Sequence, residues 1–91
     1  MRLVFRVHAM QRMAERGISP ETVRHVVETG EVVEEYPDDW PYPSRLILGF
    51  YEARPVHVVV ADNATQSELV VITVYEPDPS LWDRGFRRRK P

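Results

Sequence analysis

Read along the chain, the apolar positions change period twice. Residues 3–7 (Leu-Val-Phe-Arg-Val) are apolar enough for a short strand or an extended lead-in. From His8 to Glu15 the spacing becomes helical: Val7, Met10, Met13 or Ala14, and Ile18 fall on one face, and Gly17 is a natural stop. A second helix is marked at both ends. Ser19 is a good N-cap, Pro20 fits the first helical position, and Glu21 suits the positive end of the dipole. Ile18 and Val23 form a hydrophobic staple, Val23, Val26 and Val27 form the buried stripe, and Gly30 ends the helix.

After Gly30 the period shortens to two. Glu31–Tyr36 predicts a first strand, and Pro37, Pro41 and Pro43 exclude a regular ladder up to Ser44. Residues 45–51 and 56–61 read as a hairpin around Glu52–Pro55. In its second arm Val56, Val58 and Val60 share one face, and His57, Val59 and Ala61 the other. A polar turn at 62–67 leads to a last strand, 69–75, on which Leu69, Val71, Thr73 and Tyr75 share a side. The predicted architecture is α+β: two N-terminal helices packed on one face of a four-stranded antiparallel sheet, as one domain over 1–77, with a C-terminal basic tail over 78–91.

Composition narrows the function classes. The 91 residues are 43% hydrophobic and 29% charged, as in a globular protein. The absence of cysteine excludes disulfide scaffolds, thiol catalysis and cysteine-based zinc sites. Arginines in the first residues and the lack of any long apolar run point to a cytoplasmic protein with no membrane partner. The net charge of -2 describes no basic nucleic-acid binder as a whole, yet the charges are segregated. Residues 31–52 hold six acids against Arg45, whereas Arg84, Arg87, Arg88, Arg89 and Lys90 form a run without an acid. Eleven of the 12 bases are arginine, the better phosphate ligand.

Three groups of residues carry candidate chemistry. His8, Arg12 and Arg16 recur at i, i+4 and i+8 and project from one side of the first helix. They read either as a helix-start histidine with a solvated arginine face, or as a general base with a cationic clamp on a phosphodiester. The second is the minimum equipment for attack of a ribose 2′-hydroxyl on its own phosphate, a reaction that needs no metal. The helix dipole favours the neutral, proton-accepting ring in that role. Arg45, Thr73 and Tyr75 are candidates to line one sheet face, Tyr75 either as a sheet-end aromatic or as a residue that positions a phosphate or stacks a base. His57 is a half-buried strand residue or a second acid/base.

The tail reads either as Trp82 and Phe86 docked on the domain with solvated arginines, or as an electrostatic arm that places Arg87 and Arg88 on nucleic acid. The loop Asp38-Asp39-Trp40-Pro41-Tyr42-Pro43 is a stiff surface loop with Trp40 over the core edge, or a lid or partner epitope. His25-x-x-Glu28 offers only two ligands on a short helix, so no metal and no cofactor is expected.

The stretch His8-Ala9-Met10-Gln11-Arg12-Met13-Ala14-Glu15-Arg16-Gly17-Ile18 resembles the opening of a small bacterial and archaeal family of uncharacterised domains with the pattern H-A-x-x-R-M-x-x-R-x-I. Gly30-Glu31-Val32-Val33, the Pro-rich loop with Tyr36, the strand around Gly49, Pro55-Val56-His57-Val58 and Ile72-Thr73-Val74-Tyr75-Glu76-Pro77 continue the match. Such domains are often found beside small zinc-finger antitoxins, and their fold is similar to RelE-like and MqsR-like messenger-RNA interferases of the barnase-EndoU-colicin-RelE group. The resemblance implies a RelE-like, metal-independent endoribonuclease of a toxin–antitoxin pair. It makes His8, Arg12, Arg16 and Tyr75 the catalytic candidates, with Arg45, His57, Arg87 and Arg88 on the substrate. RNA and an antitoxin protein are then the expected partners. The alternatives are a non-catalytic nucleic-acid or protein-binding module, and a homodimer formed through an exposed strand edge and the Trp40 loop.

Overall fold

A computed structural model describes residues 2–91. The chain runs β1 (Arg2–Phe5), α1 (Val7–Arg16), α2 (Pro20–Thr29), β2 (Glu31–Tyr36), β3 (Ser44–Tyr51), β4 (Arg54–Asn63), a 3-10 turn (Ala64–Gln66) and β5 (Glu68–Tyr75). The sheet order is β1-β5-β4-β3-β2. The expected four-stranded antiparallel, RelE-like sheet is therefore corrected to a five-stranded mixed one. β2 to β5 form the antiparallel meander, and β1 adds in parallel to β5, Leu3 opposite Leu69 and Phe5 opposite Val71. A four-residue apolar run carries no sign of its partner, and this partner lies 66 residues away. β1 closes the edge of β5 while Leu3 and Phe5 add to the core.

Both helix ends follow from local chemistry. Gly17 takes a left-handed conformation (φ 65°), and its N–H bonds the Ala14 carbonyl while Ile18 N–H bonds that of Met13, a Schellman ending to α1. Ser19 Oγ accepts the Thr22 N–H at 3.1 Å and Pro20 opens α2. α1 packs chiefly on β5, and α2 on β3. The buried face of α1 differs in part from the expected one: Met13 and Ile18 are buried as expected and Ala9 joins them, whereas Val7 and Met10 are 66% and 49% exposed. Apolar residues occur on more than one side of this short helix, and packing against the sheet selects the side bearing the small Ala9.

The core joins Ala9, Met13, Ile18, Val23 and Val26 to Ile47, Val56, Val58, Val60, Leu69, Val71 and Val74. The opposite sheet face has its own cover. Residues 78–91 fold back over it, and Trp82, at 3% exposure, is the buried residue of that layer. One irregularity decides which side chains reach this second face. Val60 pairs with Val71 but Val59 pairs with Thr73, so Ile72 is an extra residue in β5. Before this bulge Leu69 and Val71 point into the core. After it Val74 does, and Thr73 and Tyr75 turn to the far face. The expectation that all four share a side is thus corrected.

Candidate functional site

His57 is the centre of the far face. It is fully buried (0% exposed), directly opposite Tyr75 in the register, and covered by the tail. Its Nε2 lies 2.8 Å from the Phe86 carbonyl and its Nδ1 3.2 Å from the Tyr75 hydroxyl. A carbonyl only accepts, so Nε2 carries the proton, and Nδ1 accepts the hydrogen bond that Tyr75 donates. The ring meets Tyr75 edge-on, centroids 5.2 Å apart, and Trp82 likewise at 4.5 Å. Burial holds the His57 ring below its ordinary pKa against the opposing pull of the Phe86 carbonyl, and the Arg89 charge adds to the depression. The ring is a neutral, doubly bonded hub.

Around this hub the fold collects groups from three distant segments. On β2, Glu34 and Tyr36 are in register with Leu46 and Ser44, which in turn pair with Val59 and Ala61 on the face of His57. Burial, followed by the neighbouring Glu34 carboxylate, pushes the Tyr36 phenol up to about 12. Burial also raises the Tyr75 phenol, with Arg89 opposing and Glu34 reinforcing. Arg89 therefore lies within electrostatic reach of both phenols and of His57.

The tail delivers Arg89 by a small hairpin of its own. Trp82 bridges Arg89, Asp83 N–H bonds the Arg88 carbonyl, and Lys90 N–H bonds that of Leu81, both at 2.9 Å. Asp83 Oδ1 accepts from Gly85 and Arg87 N–H at 3.1 and 3.2 Å and shapes the turn. Phe86 is held at φ 59°, an uncommon conformation for an aromatic residue, with its carbonyl bonded to His57. The guanidinium of Arg89 stacks 4.8 Å from the Trp82 ring centroid, and Arg87 ties the hairpin to the β2 edge through Glu31 at 2.8 Å.

The candidates from sequence divide over two faces. Tyr75 and His57 meet. His8, Arg12 and Arg16 are exposed on α1, whose Ala9 and Met13 pack on the opposite side of the sheet, so they do not join Tyr75. Their side chains make no hydrogen bond or ion pair among the described residues. Arg45 pairs with Val60 in register, hence on the helix-bearing face, and is bound to Asp62 at 2.5 Å; it does not line the face of Tyr75. Arg87 is engaged by Glu31, and Arg88 is exposed. Trp40 is 89% exposed and covers no core edge. Sequence marks Arg89 only as one of the basic run, Tyr36 only by its place in the family resemblance, and Glu34 only by its alternation with Tyr36 along β2. Among the described residues no three His, Asp or Glu side chains come together as a metal-binding group.

The class of protein so defined is a small α+β domain with two helices on one face of a mixed sheet and a folded C-terminal clasp on the other. A family model described as "Domain of unknown function (DUF4258)" matches residues 5–76, and the chain belongs to that family. The match bears out the small-domain resemblance of the α1 motif and carries no link to RelE-like ribonucleases. No curated protein and no solved structure matches the chain. The clasp lies beyond the matched residues.

Proposed function

We propose that this protein is a metal-independent endoribonuclease whose reaction takes place on the far face of the sheet, around Tyr75. The observation that carries the reading is the convergence of a carboxylate (Glu34), two phenols (Tyr36, Tyr75) and a guanidinium (Arg89) on one partly exposed patch beside a neutral histidine. Glu34 takes the proton of a ribose 2′-hydroxyl as its oxygen attacks the adjacent phosphorus. Arg89 holds the phosphate oxygens as negative charge builds on them. The bond from phosphorus to the 5′-oxygen breaks, Tyr75 turns its O–H from His57 Nδ1 to that oxygen and gives it the proton, and the products are a 2′,3′-cyclic phosphate and a 5′-hydroxyl. Glu34 then releases the proton it took, and Tyr75 regains one by way of water, so both groups return to their starting states. His57 keeps the Tyr75 hydroxyl in position and does not touch substrate. The resemblance of the α1 motif supports the same reaction class and adds a small antitoxin as partner.

The test is cleavage of a long single-stranded RNA in the presence of chelator. Glu34→Gln is expected to slow cleavage about 100- to 10,000-fold, as for loss of a general base, and Arg89→Gln about 100- to 1,000-fold, with circular dichroism unchanged. Cleavage lost in His8→Ala but kept in Glu34→Gln moves the chemistry to α1 and overturns the far-face assignment. RNA held without any product overturns the enzyme reading. It favours the second one, a nucleic-acid-binding module, which rests on the unpaired Arg12 and Arg16 of α1.

A further inference from the structure

The clasp forms an open cavity of about 400 Å³, lined by Pro79, Trp82, Asp83, Arg84, Phe86 and Lys90. We propose that this cavity binds one nucleotide of a single-stranded RNA, its base against Phe86 and Pro79 and its phosphate between Arg84 and Lys90. The inference rests on the ribonuclease reading, for which it supplies the subsite that selects the strand.

Three observations carry it. The lining combines apolar rings with the exposed cations Arg84 and Lys90, the pairing that stacking of a base and holding of its phosphate require. Among the described residues Arg84 and Lys90 form no salt bridge, whereas Arg87 is bound to Glu31. Two carboxylates stand nearby, each with one oxygen, Oδ1, engaged by the clasp's own groups. Asp83 Oδ1 accepts the Gly85 and Arg87 N–H groups, and Asp78, which feels the Lys90 charge, accepts the Ser80 N–H and hydroxyl at 2.8 Å each. Finally, Phe86 is kept at positive φ while its carbonyl is tied to His57, so the backbone that carries its ring is held in place. Trp82 is shared by the cavity and the Arg89 stack, so a base bound here neighbours the phosphate that Arg89 holds. The cavity lies outside residues 5–76, so this selectivity belongs to the clasp rather than to the family domain.

The experiment uses the whole chain carrying Trp40→Phe, which leaves Trp82 as the sole tryptophan reporter. The probes are a 2′-O-methyl oligoribonucleotide, which cannot be cut, and adenosine 5′-monophosphate, followed by Trp82 fluorescence and by amide shifts of residues 79–90. Saturable binding of the oligonucleotide, weakened at least tenfold by Phe86→Leu and by Arg84→Gln with Lys90→Gln, is the expected result. Binding of either probe that Phe86→Leu and the Arg84→Gln, Lys90→Gln pair leave unchanged overturns the subsite, as does no saturable shift with either probe. Binding of the strand in the clasp with no cleavage of ordinary RNA leaves the subsite standing and refutes the nuclease reading alone. Cleavage by Phe86→Leu with unchanged preference among bases refutes the subsite alone.

Discussion

Truncating His57 to alanine tests whether the far face is organised as the hydrogen bonds imply. The ring is wholly buried, packs edge-on against Tyr75 and Trp82, and donates to the Phe86 carbonyl. Removing a buried side chain of this size costs roughly 2–4 kcal/mol in packing. The carbonyl left without its donor adds about 1 kcal/mol or more, whereas the partly exposed Tyr75 hydroxyl turns to water. The sum, roughly 3–5 kcal/mol, is a large share of the ~5–14 kcal/mol expected for a domain of this length. It corresponds to a fall in melting temperature of at least about 12 °C. The assay is urea unfolding followed by far-ultraviolet circular dichroism and by Trp82 fluorescence in the Trp40→Phe background. The tail signal is expected to be lost at lower urea than the helix signal, because the cavity opens directly beneath Trp82. His57→Gln keeps a donor for Phe86 and is expected to recover part of the loss, which covers the case in which the alanine variant does not fold. A midpoint and Trp82 emission unchanged in His57→Ala refute the hub.

The lowered pKa of the same ring makes stability depend on pH. The unfolded chain binds a proton at His57 more readily than the folded one, so this contribution is full above the ordinary value of 6.5 and is lost as pH falls through the lowered folded value. The urea midpoint is expected to rise between about pH 5 and 7 more steeply in the wild type than in His57→Gln; parallel curves refute the assignment. Gly30→Ala is expected to cost about 1–3 kcal/mol, because a Cβ there would lie 2.5 Å from the Val26 carbonyl oxygen and 2.6 Å from that of Leu48. Gly49→Ala meets both Val26 methyl groups, at 2.9 and 3.0 Å, and the Val26 Cα at 3.1 Å, longer approaches than those at Gly30, so its urea midpoint is expected to fall less. The reverse order would refute the close backbone approach.

Gly30 illustrates how a residue can be read correctly for an incomplete reason. It does end α2, but in an extended conformation rather than a left-handed one, and what it provides is room for β3 beside the helix end. α2 was legible because its cap, first-turn proline and apolar stripe are all local. The four meander strands were legible for the same reason, since period two and turn residues announce them within one or two residues of their observed ends. On the candidate site, Tyr75 and His57 stood out singly, yet their meeting depends on the bulge at Ile72, which leaves no mark in an unbroken apolar run. The stripe of His8, Arg12 and Arg16 was conspicuous because helix spacing is a local rule, and conspicuousness on one helix says nothing of what faces it across the molecule.

Local chemistry in the chain alone thus determined the helices, the meander and the alternation that buries the valines of β4 while turning His57 away from them. Tertiary structure decided that β1 joins the sheet in parallel, that α1 packs through Ala9, and that Glu34, Tyr75 and Arg89 come within electrostatic reach of Tyr36. Helix caps and strand alternation are settled by neighbours a few residues apart. These last contacts join segments tens of residues apart, and their partners are chosen only when whole faces compete for burial.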